Sequence, residues 1–129
     1  MHERTYFRAM RRGTDGRPIC GATGARLGVR PVDIETDDLG QVCPGRGGLS
    51  VTPDDPGRLP VEFRPEVLGG LGRLPVFSIR ASQLGDSLGV RPDPRYPEQH
   101  AFVEPSLEMP FDRYQTELCE TAPGWEEYS

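Results

Sequence analysis

The sequence predicts a single α+β domain over residues 1–129: a small, mostly antiparallel sheet with one amphipathic helix near the C-terminus. Three stretches carry that prediction. Pro75-Val76-Phe77-Ser78-Ile79-Arg80 is rich in β-branched and aromatic residues and reads as the clearest strand. In residues 98–105, Phe102 and Val103 supply β-propensity, and Pro105, with no N–H to give, stops the ladder. Pro110 suits a first helical position, and behind it Phe111, Tyr114 and Leu118 fall at i, i+3 and i+7, one apolar stripe.

The remaining elements follow in order. Arg4 to Met10 alternates around two adjacent aromatics and reads as the first strand, with Phe7 facing one way and Tyr6 and Arg8 the other. Residues 11–30 are rich in Gly and Arg and read as a long loop. Val32-Asp33-Ile34-Glu35-Thr36 reads as a short helix or a short strand, followed by a turn over residues 37–40. Leu49-Ser50-Val51-Thr52 is a strand closed by Pro53; the glycines before it, Gly47 and Gly48, mark close backbone approach to a ligand or a neighbouring element. Residues 53–74 are mostly loop, with one helical turn at Pro65 to Leu68. Ala81 to Leu84 makes another such turn. Leu88 to Pro92 pairs at a sheet edge, residues 93–97 connect, and Trp125 in the tail packs back on the body.

Composition narrows the function classes. There are 16 glycines and 14 prolines without a period, and 35% of residues are hydrophobic, as expected of a loop-rich domain with a modest core. All fifteen basic residues are arginine, so chemistry that needs a lysine is excluded. The net charge of −5 is uneven: residues 1–46 carry eight Arg against six acids, and residues 98–129 carry Arg113 against eight. That acidic final quarter repels phosphate backbones and argues against general nucleic-acid binding, while the basic N-terminal part suits a small anion such as a dinucleotide. Cys20, Cys43 and Cys119 are odd in number and widely spaced, which predicts free thiols in a reducing compartment. No secretory h-region or membrane-length apolar run is present, so the chain reads as cytoplasmic unless exported without a cleaved signal.

Motifs are sparse. Gly21 to Gly28 lacks the dinucleotide glycine spacing, and a Walker loop lacks its lysine. With two histidines and no paired cysteines, no metal-ligand spacing is recognisable. Ser50, His100 and Glu104 could form a hydrolase set, but no nucleophile elbow surrounds Ser50. His100 and Glu104, four apart on a strand, would share one face about 13 Å apart, lining either a cleft or a solvated edge.

Three segments, Tyr6-Phe7-Arg8-Ala9, Gly47-Gly48-Leu49-Ser50-Val51 and His100-Ala101-Phe102-Val103-Glu104-Pro105 with its following helix, resemble a family of bacterial type VI secretion effector toxins with an ADP-ribosyltransferase-like fold. The resemblance implies a split sheet and an NAD pocket. Arg8, with Tyr6 and Thr52, would contact NAD as co-substrate, and Ser50, His100 and Glu104 would be catalytic. Chemically, a diphosphate wants a guanidinium fork, and an oxocarbenium-like centre wants a nearby carboxylate. No Glu-x-Glu or Gln-x-Glu ends in Glu104, since Phe102 stands two before it. The expected activity is that of an NAD-dependent ADP-ribosyltransferase-like toxin acting in the cytoplasm, with a neutralising immunity protein as partner. The alternatives are a non-catalytic interaction protein on the same scaffold and a small hydrolase using Ser50.

Overall fold

In the computed structural model, which describes residues 3–128, strand β1 (Thr5–Ala9) lies inside a six-stranded sheet. The other strands of that sheet are β3 (Leu49–Pro53), β4 (Val76–Arg80), β5 (Leu88–Pro92), β6 (Ala101–Pro105) and β8 (Glu126–Glu127). Their order is β5-β6-β3-β1-β4-β8, with every neighbouring pair antiparallel. A two-stranded ribbon of β2 (Gln41–Val42) and β7 (Met109–Pro110) leads into helix α1 (Phe111–Glu120). His2 and Ser129 lie outside the described residues.

Alternation along the strands sorts side chains between two faces. Tyr6, Val51, Leu49, Phe77, Ile79 and Val103 point into the main core beneath α1, which buries Tyr114 and Leu118 against them. Phe7, Ala9, Val76 and Leu59 form a smaller cluster on the opposite face. Tyr114 joins helix to sheet with its hydroxyl: it donates to the Val103 carbonyl and accepts from the Leu49 N–H at 3.1 Å. Trp125 is buried, its indole N–H donating to the Thr121 hydroxyl at 2.9 Å.

Several expectations shift. Pro110 ends β7 and caps α1 from outside the helix, because its extended backbone (ψ 145°) pairs with Gln41. Residues 32–36 form neither helix nor strand: a turn at 31–33 is held by the Asp33 carboxylate accepting from the Arg30 N–H at 2.7 Å, and Ile34 makes one isolated bridge to Gly47. Pro53 and Pro105 close their strands from within.

The expectation of free thiols is overturned for two of the three cysteines. Cys20 and Cys119 form a disulfide tying the Gly/Arg-rich loop to α1, and Cys43 is free. The two cysteines are 99 positions apart, so no local spacing announces the pair. The same loop is held to the helix a second time by Gln115, whose Nε2 donates to the Val29 carbonyl at 2.7 Å and whose Oε1 accepts from the Val29 N–H at 2.8 Å.

Candidate functional cleft

The sheet opens between β1 and β3. Their pairing runs through Tyr6↔Pro53 and Phe7↔Thr52 and stops there, so Arg8 and Ala9 part from Val51 and Ser50. The Arg8 guanidinium takes the place of the missing ladder bonds, donating to the Ser50 carbonyl and the Arg26 carbonyl, each at 2.9 Å. Burial brings Arg8 down to about 10, opposed by the charge of Asp33, so it stays protonated at neutral pH.

A cleft of about 810 Å³ fills this opening, within the usual range for small-molecule and cofactor sites. Its walls come from β1 and β3, the 23–30 loop that α1 and the disulfide hold, the 58–64 segment and the 93–100 connector. Five arginines line it (Arg8, Arg30, Arg58, Arg64 and Arg95) against two carboxylates, Asp33 and Asp93. Both acids are already engaged. Burial favours the neutral form of Asp33, yet the hydrogen bonds and charge of Arg30 hold it below the usual carboxylate range. Asp93 is held well below that range by the Arg95 guanidinium first, then by His100 and the Arg95 N–H. The cleft therefore carries net positive charge in a negative protein, and Phe63 and Tyr96 add partly exposed aromatic surface to its lining.

Of the residues expected at a site, the cleft gathers Arg8, Ser50, Thr52 and His100. Tyr6 lies on the core face, its hydroxyl pushed up by burial, and does not line the cleft. Glu104 is also elsewhere. Strand β6 is interior to the sheet, so its carboxylate is buried rather than solvated, accepting from Arg91 Nε at 3.0 Å and the Gly45 N–H at 2.8 Å. Arg91 in turn lies 4.8 Å over the Phe102 ring. Glu104 thus ties the 43–47 loop to the edge of the sheet.

His100 stands just ahead of β6, its ring edge-on to Phe102 at 4.6 Å. Nε2 is 3.0 Å from the Ser50 hydroxyl and Nδ1 is 2.8 Å from Asp93 Oδ2. Asp93 is 2% exposed; Arg95 donates to it from its main-chain N–H at 3.0 Å and from its guanidinium at 3.1 and 3.3 Å. Sequence reading missed Asp93 because Asp-Pro-Arg-Tyr-Pro reads as a connector, although an Asp before Pro is a turn signal that brings position 93 back toward position 100.

Among the described residues no group of three His, Cys, Asp or Glu side chains could hold a metal ion, and no helix is long and apolar enough to cross a membrane. Compared with known proteins, the chain matches no family model, no curated sequence and no solved structure.

Proposed function

We propose that the cleft is an NAD site and that the chain is an ADP-ribosyltransferase-like effector or toxin domain. The observation that carries this reading is the arginine-rich opening where β1 and β3 separate, because it gathers Arg8, Ser50, Thr52 and His100 in a volume suited to a dinucleotide. The donor set fits. Arg58 and Arg64 donate to the Glu98 and Gly57 carbonyls at 3.3 and 3.2 Å, and Arg58 also pairs loosely with the exposed Asp55 at 3.9 Å, so each keeps further N–H donors for a diphosphate. Ser50 and Thr52 offer hydroxyls to ribose, and Phe63 and Tyr96 offer faces for a base. Bound NAD would supply the ADP-ribosyl group, with nicotinamide leaving.

Glu104 favours a second reading. A transferase needs a carboxylate beside the developing ribose cation, and the one expected there is spent on Arg91 and Gly45. A domain that binds the dinucleotide, or a partner, without turning it over fits that arrangement. The Cys20–Cys119 disulfide supports a working place that is not reducing, consistent with an exported effector. Such an effector would need a neutralising immunity protein in the producing cell.

Thermal unfolding with and without NAD tests the site. Ligand at 100 times its dissociation constant adds about 2.7 kcal/mol, a midpoint shift of roughly 6–12 °C. The shift should shrink in Arg58→Ala/Arg64→Ala, whose side chains lie at the cleft rather than in the core. No shift at millimolar NAD overturns the reading. Release of nicotinamide on incubation then separates the transferase from the binding protein.

A further inference from the structure

The geometry points to a second chemistry in the same cleft, independent of NAD: Ser50, His100 and Asp93 form a nucleophile, base and orienting acid that act on carboxylic esters bearing an anionic group.

The protonation pattern follows from the partners. The buried, ionised Asp93 carboxylate is an acceptor only, so the imidazole nitrogen 2.8 Å from it, Nδ1, must carry the proton. In the neutral ring this leaves Nε2 with its lone pair, 3.0 Å from the Ser50 hydroxyl, which donates to it. The three contacts that Arg95 makes to Asp93 keep the carboxylate from turning away, so the base is fixed from behind. Ser50 itself is exposed on the cleft wall, on a strand whose backbone is held on both sides. Nucleophile–base and base–orienter distances both lie within hydrogen-bond reach, the arrangement by which such a serine is activated.

A donor for the developing oxyanion is also placed. The Asp54 N–H donates to the Thr5 carbonyl at 2.7 Å, which sets the alternation of the β1–β3 ladder. By that alternation the main-chain groups of Ser50 turn toward β1, where past Phe7 no ladder pair forms. The Ser50 carbonyl meets Arg8, and its N–H faces the opening.

In the step proposed, Ser50 Oγ bonds to the ester carbonyl carbon and its proton passes to His100 Nε2. Collapse breaks the bond to the leaving oxygen, which takes that proton from Nε2 and departs as the alcohol. Water, deprotonated by the same nitrogen, then releases the acid and restores the serine. The net reaction is ester plus water to acid plus alcohol. The net positive cleft selects esters that carry a carboxylate or phosphate elsewhere in the molecule.

Two measurements without NAD test this. A fluorophosphonate should add one adduct, located by mass spectrometry on Ser50, absent in Ser50→Ala and formed at least 10²-fold more slowly in His100→Gln. The nitrophenyl ester of succinate should turn over faster than the nitrophenyl ester of acetate, and the preference should diminish in Arg58→Ala/Arg64→Ala. Unfolding midpoints of the variants show that each is folded. Labelling that survives Ser50→Ala, or a folded wild-type chain that forms no adduct, overturns the proposal and leaves the NAD reading untouched.

Discussion

Asp93 is a carboxylate removed from water and neutralised by three donors from Arg95 and a fourth contact from His100. Its pKa is held well below the value of about 3.9 that an aspartate has in an unfolded chain, by the Arg95 guanidinium first and then by His100 and the Arg95 N–H. The unfolded chain therefore takes up a proton at a higher pH than the folded one does. The stabilisation is complete above that unfolded value and is lost as pH falls through and below it. Denaturant melts between pH 2 and pH 6 should show a steep acid limb in the wild type and a shallower one in Asp93→Asn, which starts less stable at pH 6; parallel limbs would place the acid sensitivity elsewhere. Gly48 is the matching case on the backbone. Its φ of +146° and a Cβ position 2.5 Å from the Val103 carbonyl leave no room for a side chain. Gly48→Ala should cost on the order of 2–4 kcal/mol in chemical denaturation, because strain and overlap add. This is the close approach that glycine ahead of a strand announces, and the neighbour approached is β6.

Helix α1 organises more than the core stripe that its sequence shows. Tyr114 and Leu118 face inward as their spacing predicts, and Leu118→Ala should cost about 2–5 kcal/mol through the cavity left in that seam. Gln115 and Cys119, one residue along from each, hold the 20–30 loop that walls the cleft. Cross-linking residues 99 apart constrains the unfolded chain strongly, so Cys119→Ser should lower stability by about 3–5 kcal/mol. The variant should also increase hydrogen exchange at residues 21–29 relative to β4, whereas uniform change across the chain would mean that the loop is held by Gln115 alone. Strands β1, β3, β4, β5 and β6 and the helix were legible because their residues carry a local signal, such as Phe77 and Ile79 in β4 or Phe111, Tyr114 and Leu118 in α1. Strands β2, β7 and β8, two residues each, are too short to show one. The cleft was legible only at Arg8, Ser50, Thr52 and His100. The Cys20–Cys119 pair and the capture of Glu104 by Arg91 depend on long-range chain reversals with no local signature, and the Asp93-Pro94 turn signal marks a reversal without saying that His100 is what Asp93 meets.

At the scale of the whole chain, charge is segregated: the molecule is acidic, yet the cleft between β1 and β3 is lined by five arginines against two charge-paired aspartates. An anion approaching from solvent meets overall repulsion until it reaches the cleft, where low-dielectric walls focus the local positive field. Affinity built in this way depends on ionic strength, since the Debye length shrinks from about 10 Å at 0.1 M salt to about 3 Å at 1 M. The NAD-induced shift in unfolding midpoint should accordingly fall as sodium chloride rises from 50 to 500 mM, and inorganic pyrophosphate should compete for the site while uncharged nicotinamide riboside analogues should not. Arg58→Ala/Arg64→Ala should flatten the salt dependence as well as weaken binding, because both guanidinium groups line the cleft and only Arg58 has a carboxylate within ion-pair reach, the exposed Asp55 at 3.9 Å. A shift that persists unchanged at 500 mM salt would assign recognition to the aromatic lining, Phe63 and Tyr96, and to the hydroxyls of Ser50 and Thr52 instead.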